Sequence, residues 1–137
     1  MDKFAMIIFG ASGDLTKRKL MPALYSLYRE KRLTGEYSIL GIGRTVYSDD
    51  NYRSYILEEL QQFVKSEEQD TALMASFVSH LYYLPMDPAK EEGYPQLRQR
   101  LVELTNEVDP DNLLFYLATP PSLYGVVPLY LKAAGLN

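Results

Sequence analysis

The chain has 137 residues, 47% of them hydrophobic and 23% charged, with a formal net charge of −4 and no cysteine. That length fits one domain with one core, and the composition excludes a disordered chain or a disulfide-built scaffold. No apolar run approaches the roughly 20 residues of a membrane-crossing helix, no cleavable leader is visible, and the acidic balance argues against a nucleic-acid surface.

Phe4 to Phe9 is a continuous apolar run, too short for a helix and stopped by Gly10, so it reads as a strand buried on both faces. A helical turn over Asp14 to Lys19 follows. Leu20, Leu24, Leu27 and Tyr28 then recur at helical spacing up to about Lys31, with Pro22 near the start of the main helix. Tyr37 to Ile42 is a second strand. Tyr52, Tyr55, Ile56, Leu60, Phe63 and Val64 mark a second helix, with Asp49 or Asp50 as its cap. A shorter helix covers Thr71 to Val78, and Leu81 to Met86 is a third strand. Leu97, Leu101, Leu104 and Val108 form one stripe on a further helix. Leu113 to Ala118 is the fourth strand, stopped by Pro120-Pro121. Leu123, Val126, Val127, Tyr130 and Leu131 suggest a last helix, which Pro128 either kinks or starts late.

Strands alternating with helices imply a doubly wound α/β fold, with about four parallel strands and helices on both faces. The strand C-termini then share one edge, where ligands bind in open sheets of this kind. The turns after Phe9, Ile42, Met86 and Ala118 are therefore the segments to examine.

In the first turn, Gly10-Ala11-Ser12-Gly13-Asp14-Leu15 lies between a buried strand and a helix. Glycines there allow positive φ and leave room for a diphosphate against the backbone. The amides at the helix start face negative charge. The pattern is neither G-x-G-x-x-G nor a P-loop, since Lys17 follows Thr16 and not a glycine. A plain strand-to-helix turn capped by Asp14 is the alternative. In either case the Asp14 carboxylate must turn away from a phosphate, into capping, while Ser12 can offer its hydroxyl. In the second turn, Gly41-Ile42-Gly43-Arg44-Thr45 has no acid before Asp49. A guanidinium at this place suits a 2′-phosphate, whereas a carboxylate would suit a free ribose, so the segment predicts NADP over NAD. Residues 1–47 carry eight Lys/Arg against four Asp/Glu, which favours a phosphate-bearing ligand or, more simply, marks a solvated basic face.

Gly10 to Pro22 resembles the glycine-rich signature of glucose-6-phosphate dehydrogenases. Leu40-Gly41-Ile42-Gly43-Arg44 resembles the end of that family's second strand, and Leu114 to Tyr124 resembles its L-F-Y-L-A-x-P-P-x-x-Y segment. Thr16 departs from the usual alanine, and Pro88 after Asp87 removes a backbone donor. The resemblance implies a Rossmann-type domain over residues 1–137, belonging to a cytoplasmic oxidoreductase of the pentose phosphate pathway. Its partners would be glucose 6-phosphate and copies of itself in the full-length enzyme, with no nucleic acid and no membrane.

By the same resemblance, Gly10, Ala11, Ser12, Gly13, Asp14 and Leu15 form the diphosphate turn. Arg44 takes the 2′-phosphate with Thr45 assisting, Met86 and Asp87 flank the adenosine, and Ala118, Pro120 and Tyr124 line the nicotinamide side. Lys19 corresponds to a lysine near the active cleft, or is simply a solvated helix lysine. The family's E-K-P segment, its D-H-Y segment and its later catalytic histidine have no counterpart here. His80, on the N-terminal side of the third strand, reads as structural. The expectation is therefore a piece of a longer enzyme, inactive by itself, with no catalytic residue and no metal ligand. A freestanding NADP-binding module and a purely structural domain are the competing readings.

Overall fold

The structure, a computed structural model, describes residues 3–33 and 35–137. Strands β1 (Phe4–Phe9), β2 (Tyr37–Gly43), β3 (Leu81–Pro85) and β4 (Leu113–Leu117) form one parallel sheet in the order β3-β2-β1-β4. The neighbours of β1 are thus β2 on one side and β4 on the other, and the strand order reverses between β1 and β4. In register, Phe9 lies opposite both Ile42 and Leu117, so the C-terminal ends of all three strands meet at one place.

Each face of β1 has its own helical layer, which is why the strand reads as unbroken apolar sequence. Met6 and Ile8 pack with Met21, Leu24, Tyr25, Ile56, Leu60 and Phe77, from α1 (Met21–Arg29), α2 (Asp49–Phe63) and α3 (Thr71–Val78). Ala5, Ile7 and Phe9 pack on the other face with Leu97, Leu101, Val127 and Leu131, from α4 (Tyr94–Thr105) and α5 (Val126–Ala133). This is the doubly wound α/β architecture that the sequence implies.

The helix after the glycine turn opens as a π-helical turn over Thr16–Leu20, in which the Met21 amide reaches back five residues to the Thr16 carbonyl. Pro22 brings no N–H, and its ring crowds the carbonyl four residues earlier. The wider turn ahead of it relieves that crowding. Pro128 is the third residue of α5, inside the first turn, where an amide has no intrahelical partner to lose. Of the two alternatives left open for it, the late start is the one observed.

Two local expectations need correction. The cap of α2 is Ser48, whose Oγ accepts from the Asn51 amide at 3.1 Å. Asp49 is drawn away to β3, where it accepts the Tyr83 amide at 2.9 Å and pairs with Arg100. Val108 lies beyond α4, because Asn106 adopts a φ of 73° and ends the helix. Its side chain still packs, half-buried, on the layer that the stripe predicts.

Strand β4 stands at the sheet edge. Leu113, Phe115 and Leu117 pack toward α4 and α5, whereas Leu114 on the opposite face is 58% exposed. Ile7, by contrast, is fully buried. Truncating Ile7 to alanine should lower unfolding stability by about 2–5 kcal/mol, and the same change at Leu114 should stay within about 0.5 kcal/mol. Urea titration of the two variants checks the difference.

Candidate nucleotide-binding cleft

The turn after β1 is built around Gly10, which has a φ of +88°. A Cβ added there would lie 2.4 Å from the Ala118 carbonyl oxygen at the end of β4. The glycine is therefore required by the adjoining strand as well as by its own backbone, a reason the local sequence does not contain. The amides of Gly10 and Ala11 both donate to the Ile42 carbonyl, at 2.9 and 3.0 Å, and Gly13 donates to Gly10 at 3.1 Å. The buried Thr16 hydroxyl also donates to the Gly10 carbonyl, at 2.8 Å. Thr16, a departure from the resembled pattern, thus holds the turn closed from the helix side.

Among the described residues, the amides of Ser12, Asp14 and Leu15 are hydrogen-bonded to no carbonyl. Unfilled amides at a helix start attract anions, and Gly13 leaves space beside them, since a Cβ there would touch only the Gly10 carbonyl at 3.4 Å. Asp14 does turn away, but not into capping. Its exposed carboxylate lies 3.6 Å from the Lys17 ammonium and 4.0 Å from Arg18. The helix start has no side-chain cap.

The second corner begins where β2 ends. Arg44 and Thr45 are exposed, and among the described residues Arg44 pairs with no carboxylate. Asp49, the first acid along the chain after this tip, is committed to Tyr83 and Arg100. The two corners adjoin, with the Ser12 and Thr45 hydroxyls 3.4 Å apart.

Together they line one open cleft of about 710 Å³ at the C-terminal edge of the sheet. Its walls include Gly10, Ser12, Gly13, Arg44, Thr45, Asp87, Ala118 and Pro120 from the expected set. Sequence reasoning missed Gly43, Pro88, Ala89, Thr119, Ser122 and Leu123. The Pro-Pro turn after Ala118 could have signalled the last three. The other expected residues stand back from the cleft. Ala11 is fully buried and Met86 buried, Asp14, Leu15 and Tyr124 are exposed outside the lining, and Lys19 is exposed on the π-helical turn. Asp87 folds onto its own loop, accepting the Ala89 amide at 2.9 Å. His80 stacks on Tyr37 at 4.2 Å, before the start of β3 and thus at the far end of the strands from the cleft.

Three phenols brace the two corners from behind. Tyr52 donates to the Ala11 carbonyl at 2.9 Å, Tyr55 to Ser12 at 3.3 Å, and Tyr83 to Thr45 at 2.5 Å. Tyr83 occupies the space a side chain on Gly43 would need, its hydroxyl lying 2.7 Å from where a Cβ would stand. Burial pushes the Tyr52 phenol well above its usual range and the Tyr83 phenol up to about 12. Among the described residues there is no cluster of metal-ligating side chains and no helix long and apolar enough to cross a membrane.

Comparison with known proteins adds a second line of observation. Residues 7–137 match the family model described as glucose-6-phosphate dehydrogenase, NAD binding domain. The chain is 45% identical to the glucose-6-phosphate 1-dehydrogenase of Aggregatibacter actinomycetemcomitans, over 96% of this chain and 26% of that protein. It is 35% identical to that of Bacillus subtilis, over 98% of this chain and 27% of the relative. A crystal structure of the Mycobacterium avium enzyme superposes with a TM-score of 0.82 at 27% identity, covering 98% of this chain and 28% of that one. A glucose-6-phosphate dehydrogenase solved in complex with glucose-6-phosphate gives 0.82 at 35% identity, covering 97% and 27%. The chain thus spans about a quarter of the length of the curated relatives it matches, 26% in the first case.

The bracing phenols set an alkaline limit on the fold. Their folded pKa values lie above the unfolded value of about 10, so the stability they carry is whole below that pH and is lost as pH rises through about 12, the value for Tyr83. Tyrosinate absorbance from the braced rings should appear together with loss of circular dichroism. An earlier, independent titration of these rings would contradict the bracing.

Proposed function

Because the chain belongs to the NAD-binding domain family of glucose-6-phosphate dehydrogenases, we propose that residues 1–137 form one cofactor domain that holds NADP across the cleft. The observation that carries this reading is that Arg44, which pairs with no carboxylate among the described residues, and Ser12, whose amide is bonded to no carbonyl, line one cavity, with the unfilled amides of Asp14 and Leu15 next along the chain. The amides of Ser12, Asp14 and Leu15 take the diphosphate, with the Ser12 hydroxyl beside them and Gly10, Ala11 and Gly13 shaping the turn. Arg44 grips the 2′-phosphate with a planar fork, and Thr45 assists. Met86 and Asp87 lie on the adenosine side, and Ala118, Pro120 and Tyr124 on the nicotinamide side. Lys19 helps, electrostatically, to receive a phosphorylated substrate.

When bound, the nicotinamide supplies the hydride acceptor. The protein of which this domain is a part oxidises glucose 6-phosphate at C1, in the cytoplasm and as an assembly of identical subunits. A base must take the sugar hydroxyl proton as hydride leaves. The chain has one histidine, His80, and it sits at the far end of the strands from the cleft, so it is not assigned as that base. The domain alone binds cofactor without turning over sugar.

Calorimetric titration of the 137-residue chain tests the assignment. Arg44→Ala should weaken NADP by about 10- to 100-fold, the range for a charge-assisted contact, and change NAD by less than about 2-fold. Equal losses for the two nucleotides would remove Arg44 from the 2′-phosphate.

A further inference from the structure

The rings behind the cleft form one continuous aromatic cluster. Tyr47 stacks on Tyr55 at 5.4 Å and meets Tyr83 edge-on at 5.3 Å, and Tyr52 lies 4.8 Å from Tyr83. Two of these side chains come from α2, one from β3 and one from the loop after β2. Three of the four end on a carbonyl of a cleft-side turn. A trans peptide unit is rigid, and its carbonyl and the next amide point in opposite directions. A donor that ties down the Ala11 carbonyl therefore aims the Ser12 amide the other way. The Tyr55 bond to Ser12 fixes the Gly13 amide in the same manner, and the Tyr83 bond to Thr45 fixes the Val46 amide.

We propose that Tyr52, Tyr55 and Tyr83 are positioning residues for the dinucleotide, their hydroxyls setting how the diphosphate turn and the Arg44–Thr45 corner face one another. The proposal rests on the NADP reading above and goes beyond it, because none of the three hydroxyls touches the cleft itself. Tyr52 and Tyr55 act on the diphosphate turn, which NAD and NADP share. Tyr83 acts first on the Thr45 corner, where the 2′-phosphate is held, and its hydroxyl also lies beside the Ser12 side chain of the diphosphate turn. The ring stacking joins the two, so the separation of the corners is set by packed aromatic rings and not by the loops alone. All three hydroxyls are protonated at neutral pH, as a phenol of ordinary pKa already is, and so can donate.

Conservative variants separate the roles, since phenylalanine keeps each ring and removes only the donor. In titrations of the 137-residue chain, Tyr55→Phe should weaken NADP and NAD alike, by about fivefold, as for one neutral hydrogen bond. Tyr83→Phe should weaken NADP by a similar factor and NAD by less, lowering the preference ratio. Tyr52→Phe should behave as Tyr55→Phe; if it unfolds the chain, the two less buried positions still decide the matter. Folded Tyr55→Phe and Tyr83→Phe chains with parental affinities and parental ratio overturn the proposal. Amide NMR without nucleotide keeps the two readings apart. Shifted Ser12, Gly13 and Val46 resonances in the variants support positioning even if the parent binds neither nucleotide, a result that would defeat the NADP reading alone. Unmoved resonances defeat positioning whatever the parent binds.

Discussion

A single carbonyl, that of Ile42, accepts the amides of both Gly10 and Ala11. That shared acceptor ties the turn leaving β1 to the last residues of β2, and most of the cleft follows from it. Arg44 lies two residues beyond the acceptor and lines the same cleft as the glycine turn. The opposite side is closed by β4, whose Ala118 amide donates to Phe9 at 2.8 Å and whose Ala118 carbonyl leaves no room for a side chain on Gly10. The turn is thus held from two strands at once. Its free amides have no neighbour to fold back upon, and a phosphate is the kind of group that satisfies them.

Much of this was legible in the sequence because the governing signals are local. The apolar run of β1, the spacing of Leu97 and Leu101, and glycines between strand and helix all report short-range periodicity or turn chemistry. The departures have one cause in common, a partner far away along the chain. Asp49 looks like a cap until β3 offers it the Tyr83 amide and Arg100, and Ser48 then takes the cap. Gly10 looks like a glycine spared for a ligand until Ala118 is placed beside it. Tyr52 and Tyr55 read only as apolar positions of a helical stripe, because periodicity sees rings and not hydroxyls.

The cleft has an unequal construction. The glycine turn is tied closely, by a positive-φ glycine, a shared carbonyl and a threonine latch all acting within seven residues, Gly10 to Thr16. The Arg44 side is an exposed strand tip, tied at the Thr45 carbonyl by the Tyr83 hydroxyl. Pro120 and Ser122, on the third wall, belong to a short loop ahead of α5.

The position of β1 in the middle of the sheet also governs the order in which the chain can be assembled on a ribosome. Its pairing with β2 uses Tyr37 to Ile42, so that half of the sheet becomes available early in synthesis. Its other edge waits until Leu113 to Leu117 have been made, more than half of the described length later. Throughout that interval a strongly apolar strand has one open side. Nascent chains of this sequence are therefore expected to spend their vulnerable period with β1 half-paired, the stage at which a chaperone has most to protect.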